Sequence, residues 1–184
     1  MTREQALELV NQKIKNQNLV KHVLAVEAVM RQLAEHFGEN RDKWGLAGLL
    51  HDIDYEQTKD KPDEHSRLGS QQLKELGVDE EICLAVLKHN AAHGLAPATK
   101  IEKALFVSDP ITGLIVAAAL VMPSKKIADL TEENILNRFK EKGFARGANR
   151  DIIKQCESLL GLPLEEFVGI SLRAMQSISN GLGL

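Results

Sequence analysis

Residues 44–54 read Trp44-Gly45-Leu46-Ala47-Gly48-Leu49-Leu50-His51-Asp52-Ile53-Asp54. An apolar run rich in small residues ends abruptly in an imidazole and two carboxylates, which is how a core helix delivers polar ligands to a buried site. Leu46, Leu49 and Leu50 can anchor the segment in a core, while Gly45, Ala47 and Gly48 lack the bulk to hold a neighbouring helix away. His51 and Asp52 then fall at a helix C-terminus, where unpaired carbonyls carry partial negative charge and favour a cation. The dipeptide alone proves little, so the rest of the chain must supply partners.

Upstream, Thr2 and Gln5 have the spacing of a capping box, followed by a helix with an apolar edge at Leu7, Val10 and Ile14. From Asn18 to about Phe37 a longer helix carries Leu19, Val23, Val26, Met30, Leu33 and Phe37 at alternating spacings of four and three, and Gly38 closes it. His22 shares a face with Val26, Val29 and Leu33, so its imidazole points at or near the core. Taken alone, a core histidine satisfied by one hydrogen bond accounts for it.

Downstream, Tyr55 to Asp63 reads as an exposed polar loop, and a helix starting near Pro62 or Asp63 runs to Gly77 with His65 in its first turn. Asp79 caps a helix in which Ile82, Val86 and His89 recur at four and three; His93 follows near an end where helical geometry fails. Ile101, Leu105 and Val107 lead to Asp109 just before Pro110, on a helix so apolar that an unpaired carboxylate would cost several kcal/mol or more to desolvate. Ile111 to Met122 reads as a separate, fully buried core helix. Beyond Pro123, Ser124 and Thr131 are caps, and Leu164, Val168, Ser171, Met175 and Ile178 mark a closing amphipathic helix. No stretch has the alternation of a strand. The expectation is an all-α, single-domain helical bundle over residues 1–184 with a metal site at its centre.

Composition narrows the function. The chain has 184 residues, 43% hydrophobic and 27% charged, enough to bury one substantial core. A net charge of -3 argues against a surface that grips long nucleic acid by its phosphates. Residues 1–5 hold no apolar signal core, and the longest apolar run, Leu114 to Met122, is too short to span a bilayer, so a cytoplasmic protein without membrane contact is expected. Cys83 and Cys156, with no CxxC spacing, read as reduced core thiols. The composition leaves the oligomeric state open. Between Pro123 and Arg150 seven basic side chains face four acidic ones. That excess is either a solvated helix face or an anion-binding rim.

His22, His51, Asp52, His65, His89 and Asp109 stand on at least five predicted helices, each near an apolar face or a helix end. Four imidazoles and two carboxylates so placed in an apolar bundle fit nitrogen and oxygen ligation of one or two divalent transition metals, Fe, Mn, Zn, Co or Ni, rather than an all-oxygen magnesium or calcium site.

These residues, in this order, resemble the HD-domain superfamily of metal-dependent phosphohydrolases, and His51-Asp52-Ile53-Asp54 is close to its HDIG variant with Asp54 where glycine is usual. The resemblance covers residues 18–112 through its motifs; the helical extension 123–184 resembles the tail of HDIG-type proteins without assigned function. It implies that His22, His51, Asp52 and Asp109 hold one ion, and that His65 and His89, with Asp52 bridging, hold a second. It further implies hydrolysis of a small phosphorylated substrate, nucleotides among the class, with Asp52 and His51 at the reacting centre. Lys88, Lys125, Lys126, Arg146 and Arg150 are the basic residues expected to bind its phosphate. Two alternatives on the same scaffold are a di-iron oxygenase and a regulatory module that binds a nucleotide without turnover.

Overall fold

In the computed structural model, which describes residues 1–184, twelve α-helices and two short 3₁₀ turns carry the chain, with no strand. α1 (Arg3–Lys13) opens on the Thr2/Gln5 capping box. α2 (Gln17–Phe37) ends at Gly38, whose φ of 67° is the left-handed conformation that closes a helix most cheaply in glycine. α3 (Arg41–Leu50) packs along α2. Its small residues allow the approach: a Cβ on Gly48 would lie 2.8 Å from the Val26 carbonyl oxygen and 2.9 Å from Glu27 Cα.

After α3 come α4 (Tyr55–Thr58), α5 (Arg67–Glu75), α6 (Glu80–His89) and the long α7 (Lys100–Leu120). α8 (Glu132–Lys140), α9 (Arg150–Ile153), α10 (Cys156–Leu160), α11 (Leu164–Ser177) and α12 (Ser179–Leu182) complete the chain. α7 lies at the centre, against α2, α3, α6 and α11. One continuous apolar core runs from Ala6 to Leu182 and takes in Ile127, Ile135, Phe167 and Met175 from the C-terminal third. Cys83 and Cys156 are buried free thiols, and burial pushes the Cys156 thiol up to about 12.

Two expectations change. The helix expected from Pro62 or Asp63 starts at Arg67, so His65 stands in the preceding turn rather than in a helix. The cause is a long-range contact: the Asp54 carboxylate accepts from the Ser66 and Gly69 amides at 2.8 Å each, in place of a local cap, with Ser66 at φ 67°. Nor does Pro110 end a helix. α7 continues through it, because packing on both flanks outweighs the one hydrogen bond and the steric freedom that proline removes. Residues 111–120 are therefore the second half of α7, and the segment 111–122 is not fully buried, since Leu120 and Val121 are exposed. Taken whole, α7 is long and apolar enough to span a bilayer by length and composition, but here 61% of its most apolar stretch is buried inside the bundle.

Candidate metal centre

The ends of α3 and α6, the second turn of α2, the middle of α7 and the turn before α5 meet at one point. His51 caps α3, and its Nδ1 lies 2.8 Å from the Gly48 carbonyl. His89, the last residue of α6, repeats the device with Nδ1 2.7 Å from the Val86 carbonyl. A carbonyl only accepts, so each ring donates from Nδ1 and keeps a bare lone pair on Nε2. Both lone pairs turn inward. His22, from α2, has its Nδ1 3.2 Å from the Thr112 hydroxyl, whose single proton goes to the Asp109 carbonyl at 2.9 Å. The hydroxyl must then accept from His22 Nδ1, which leaves Nε2 of this ring bare as well.

The bare nitrogens face one another and carboxylates. His22 Nε2 is 3.2 Å from His51 Nε2 and 3.1 Å from Asp109 Oδ1. Asp52 Oδ2 completes this group, 3.7 Å from His22 Nε2 and 3.5 Å from His51 Nε2. Its other oxygen, Oδ1, faces His65 Nε2 at 3.3 Å and His89 Nε2 at 3.5 Å. Two triplets, His22/His51/Asp109 and His51/Asp52/His89, have donor atoms that all lie within 4.8 Å of one another. Lone pairs and carboxylates crowded together repel unless a cation lies among them. The donor set thus fits one or more divalent transition metals, and the split of Asp52 between two groups of histidines is the arrangement a bridging carboxylate requires.

Without a metal, protons take the cation's place. Burial lowers the affinity of His22 for a proton, but its hydrogen bond and charge attraction to Asp109 outweigh this and raise its pKa. Burial drives His51 down to about 4. His65, depressed by burial but held between Asp52 and Asp54, is raised to about 10. Asp52 would be raised by burial, yet His51, His65, His89 and His22 hold it well below the usual carboxylate range. Asp109 is lowered too, chiefly by His22 acting against burial.

Asp54, which stands where the HDIG motif usually has glycine and is not in the expected ligand set, is fully buried and supports this group from behind. Its Oδ1 lies 3.0 Å from His65 Nδ1, so it fixes that ring with Nε2 toward Asp52. Gly69 makes room for it, since a Cβ there would come within 3.1 Å of Asp54 Cγ. The signal in the sequence is a second carboxylate two residues after Asp52, at the end of an apolar run.

The centre opens to solvent on the side of His22 and Asp109, whose side chains are 24% and 34% exposed. The cleft there has a volume of about 710 Å³, with Tyr55, Lys59, Asn16 and Asn18 in its walls. Tyr55 stands edge-on to His65, ring centres 5.3 Å apart. Neither Tyr55 nor Lys59 is singled out by the sequence reading, because both lie in a polar stretch whose folding back over the site depends on Glu56 accepting from the Lys15 and Asn16 amides at 2.7 and 2.6 Å.

The basic residues expected to hold phosphate are dispersed. Lys88 Nζ is bound to Glu102 at 2.8 Å, and it does not line the cleft. Lys125 and Lys126 follow the exposed end of α7 and line none of the cavities around the centre. The Arg150 guanidinium is committed to main-chain carbonyls, those of Ala145 at 2.7 Å, Ala148 at 2.8 Å and Phe144. Arg146 lies in a neighbouring cavity. His93, left outside the ligand set, turns Nε2 to the His65 carbonyl at 2.7 Å and so steadies the turn that carries His65.

Residues 19–120 match the HD domain family. Ribonuclease Y of Lawsonia intracellularis is 28% identical over 139 residues, 74% of this chain and 26% of that protein. Ribonuclease Y of Thermotoga maritima is 27% identical over 139 residues, 74% of this chain and 27% of that protein. The chain thus spans about a quarter of the length of these relatives. An uncharacterised protein of Methanocaldococcus jannaschii is 31% identical over 163 residues, covering 83% of this chain and 90% of that protein.

Proposed function

The chain belongs to the HD domain family, and from that premise we propose that it is a metal-dependent phosphohydrolase acting on a small phosphorylated substrate. The observation that carries this reading is the meeting of three bare imidazole nitrogens with Asp52 and Asp109 at the floor of an open cleft. In this reading His22, His51, Asp52 and Asp109 hold one ion, and His65 and His89 share Asp52 with a second. Such ions supply Lewis acidity, acidifying water and taking up the charge of phosphoryl oxygens.

The chain's own residues do the rest. The Gly48 and Val86 carbonyls, Thr112 and Asp54 fix which nitrogen of each ring faces the centre. Lys59, in the cleft wall, is the ammonium placed to meet a phosphate that enters there. Tyr55 offers a face for an apolar part of the substrate, and the bundle behind the histidines keeps His51 fully buried and His89 nearly so. The Ribonuclease Y relatives favour a second reading, in which the bond cut is a phosphodiester of RNA.

A screen of phosphate monoesters, nucleotides and short RNA with Mn, Fe(II), Co, Ni and Zn, beside an Asp52→Ala control, tests both readings. Asp52 serves both groups of histidines, so its loss should lower the rate by orders of magnitude and reduce the bound metal. Wild-type rates in the variant would place the activity elsewhere. Substrate-dependent oxygen uptake with no phosphate released would replace hydrolysis with oxygenase chemistry.

A further inference from the structure

Beside the metal cleft lies a second cavity of about 860 Å³ between α8, α9 and the start of α11. The two are neighbours across one residue. Gly147 lines the metal cleft, the second cavity and the smaller opening over His65 and His89, and Asn149 lines the last two. Lys140, Lys142, Arg146 and Lys154 face the second cavity. None of the four is in an ion pair, a condition they share with exposed lysines elsewhere such as Lys59, Lys74 and Lys125; what sets the four apart is that they line one cavity together. Two acids, Asp151 and Glu165, share the wall, so the unpaired cations predominate without being alone.

The wall is built rather than incidental. Arg150 holds the carbonyls of Phe144, Ala145 and Ala148 with one guanidinium, and Ala145 stands at φ 44°, in the left-handed region that a residue with a Cβ rarely adopts. That clamp fixes the loop 144–148 with Gly147 at the junction of the cavities. A Cβ on Gly147 would meet nothing within 4 Å, so the space there is open.

We propose that this cavity is a second phosphate-binding subsite, and that the substrate is of the class carrying two separated phosphate groups, one presented to the metal centre and the other held by Lys140, Lys142, Arg146 and Lys154. What happens to the first phosphate rests on the phosphohydrolase reading; the binding of the second does not. Unpaired cations beside the cleft raise the local concentration of a polyanion, and two linked anions that reach two subsites bind far more tightly than one. The basic residues of the extension act on the substrate's far end.

Non-hydrolysable probes separate the two ideas. α,ω-Alkane bisphosphonates with chains of about three to eight carbons serve as rulers, against the alkyl monophosphonate, with binding measured by calorimetry on the metal-loaded protein. One chain length should bind at least about tenfold more tightly than the monophosphonate at low salt. The advantage should fall to about twofold, the statistical value for two equivalent ends, in Lys140→Gln/Arg146→Gln and at high salt. Gly147→Leu, with room for its side chain, should reduce it as well by obstructing the junction. A wild-type ratio near two at every length, or a ratio that the double variant leaves unchanged, overturns the subsite. Phosphate release measured on the same preparation judges the hydrolase reading separately: bisphosphonate preference without turnover removes only that reading, and turnover without preference removes only the subsite.

Discussion

Asp54 sets both the start of a helix and the tautomer of His65, a ligand in the proposed metal centre. One oxygen takes the Ser66 and Gly69 amides, the other takes His65 Nδ1. In Asp54→Asn the oxygen has to stay with the two amides, because an amide nitrogen facing them would leave buried donors unpaired at about 1–3 kcal/mol. The new NH₂ then faces His65 and donates to Nδ1, which moves the imidazole proton to Nε2. A protonated Nε2 cannot ligate. Metal affinity or rate should drop about 10- to 100-fold, the usual cost of losing a residue that orients a metal ligand. Metal content and phosphate release, measured on the variant with its circular dichroism unchanged, check this; a wild-type metal content and rate would leave Asp54 with a purely structural role.

At the scale of helices, caps carried most of what could be read. Thr2, Gly38, Asp79 and Thr131 end or begin helices where their chemistry places them. The small residues of α3 likewise announce a close neighbour, and α2 is that neighbour. What the sequence concealed depends on partners far along the chain. Asp54 reaches across to residues 66 and 69, packing carries α7 through Pro110, and α9 and α10 are too short to show a period. The order of His22, His51, Asp52, His65, His89 and Asp109 was legible, but Lys59 was not, since nothing local tells a lysine over a cleft from a solvated one. Gly48→Ala tests the helix contact. Its Cβ would press on the backbone of α2, which cannot move aside as a side chain can, so overpacking should cost about 1–3 kcal/mol. Urea unfolding should show a lower midpoint at unchanged slope. Gly45→Ala meets only the Arg31 side chain and should cost less; equal losses in the two would contradict a backbone clash at Gly48.

For the molecule as a whole, the centre is a knot of like charge at the meeting of four long helices, and something positive must hold it. Asp52, Asp54 and Asp109 converge there, and without metal the balance falls to protons, with His22 raised and His65 raised to about 10. A metal replaces those protons, so binding should stabilise the fold and release at least one proton at neutral pH. At a thousandfold excess over its dissociation constant the gain is about 4 kcal/mol, on the order of 10 °C in midpoint for a chain of this size. The pH dependence follows from His65. Its folded pKa lies above the unfolded value near 6.5, so its proton stabilises the metal-free fold fully below about pH 6.5 and progressively less as pH rises toward about 10. The metal-loaded fold does not hold that proton and does not share the loss. The midpoint difference between loaded and chelator-treated protein should therefore widen from pH 6.5 to 8.5, as read by circular dichroism melts at matched ionic strength. A difference that narrows over that range would mean that His65 is not among the groups a metal displaces from their protons.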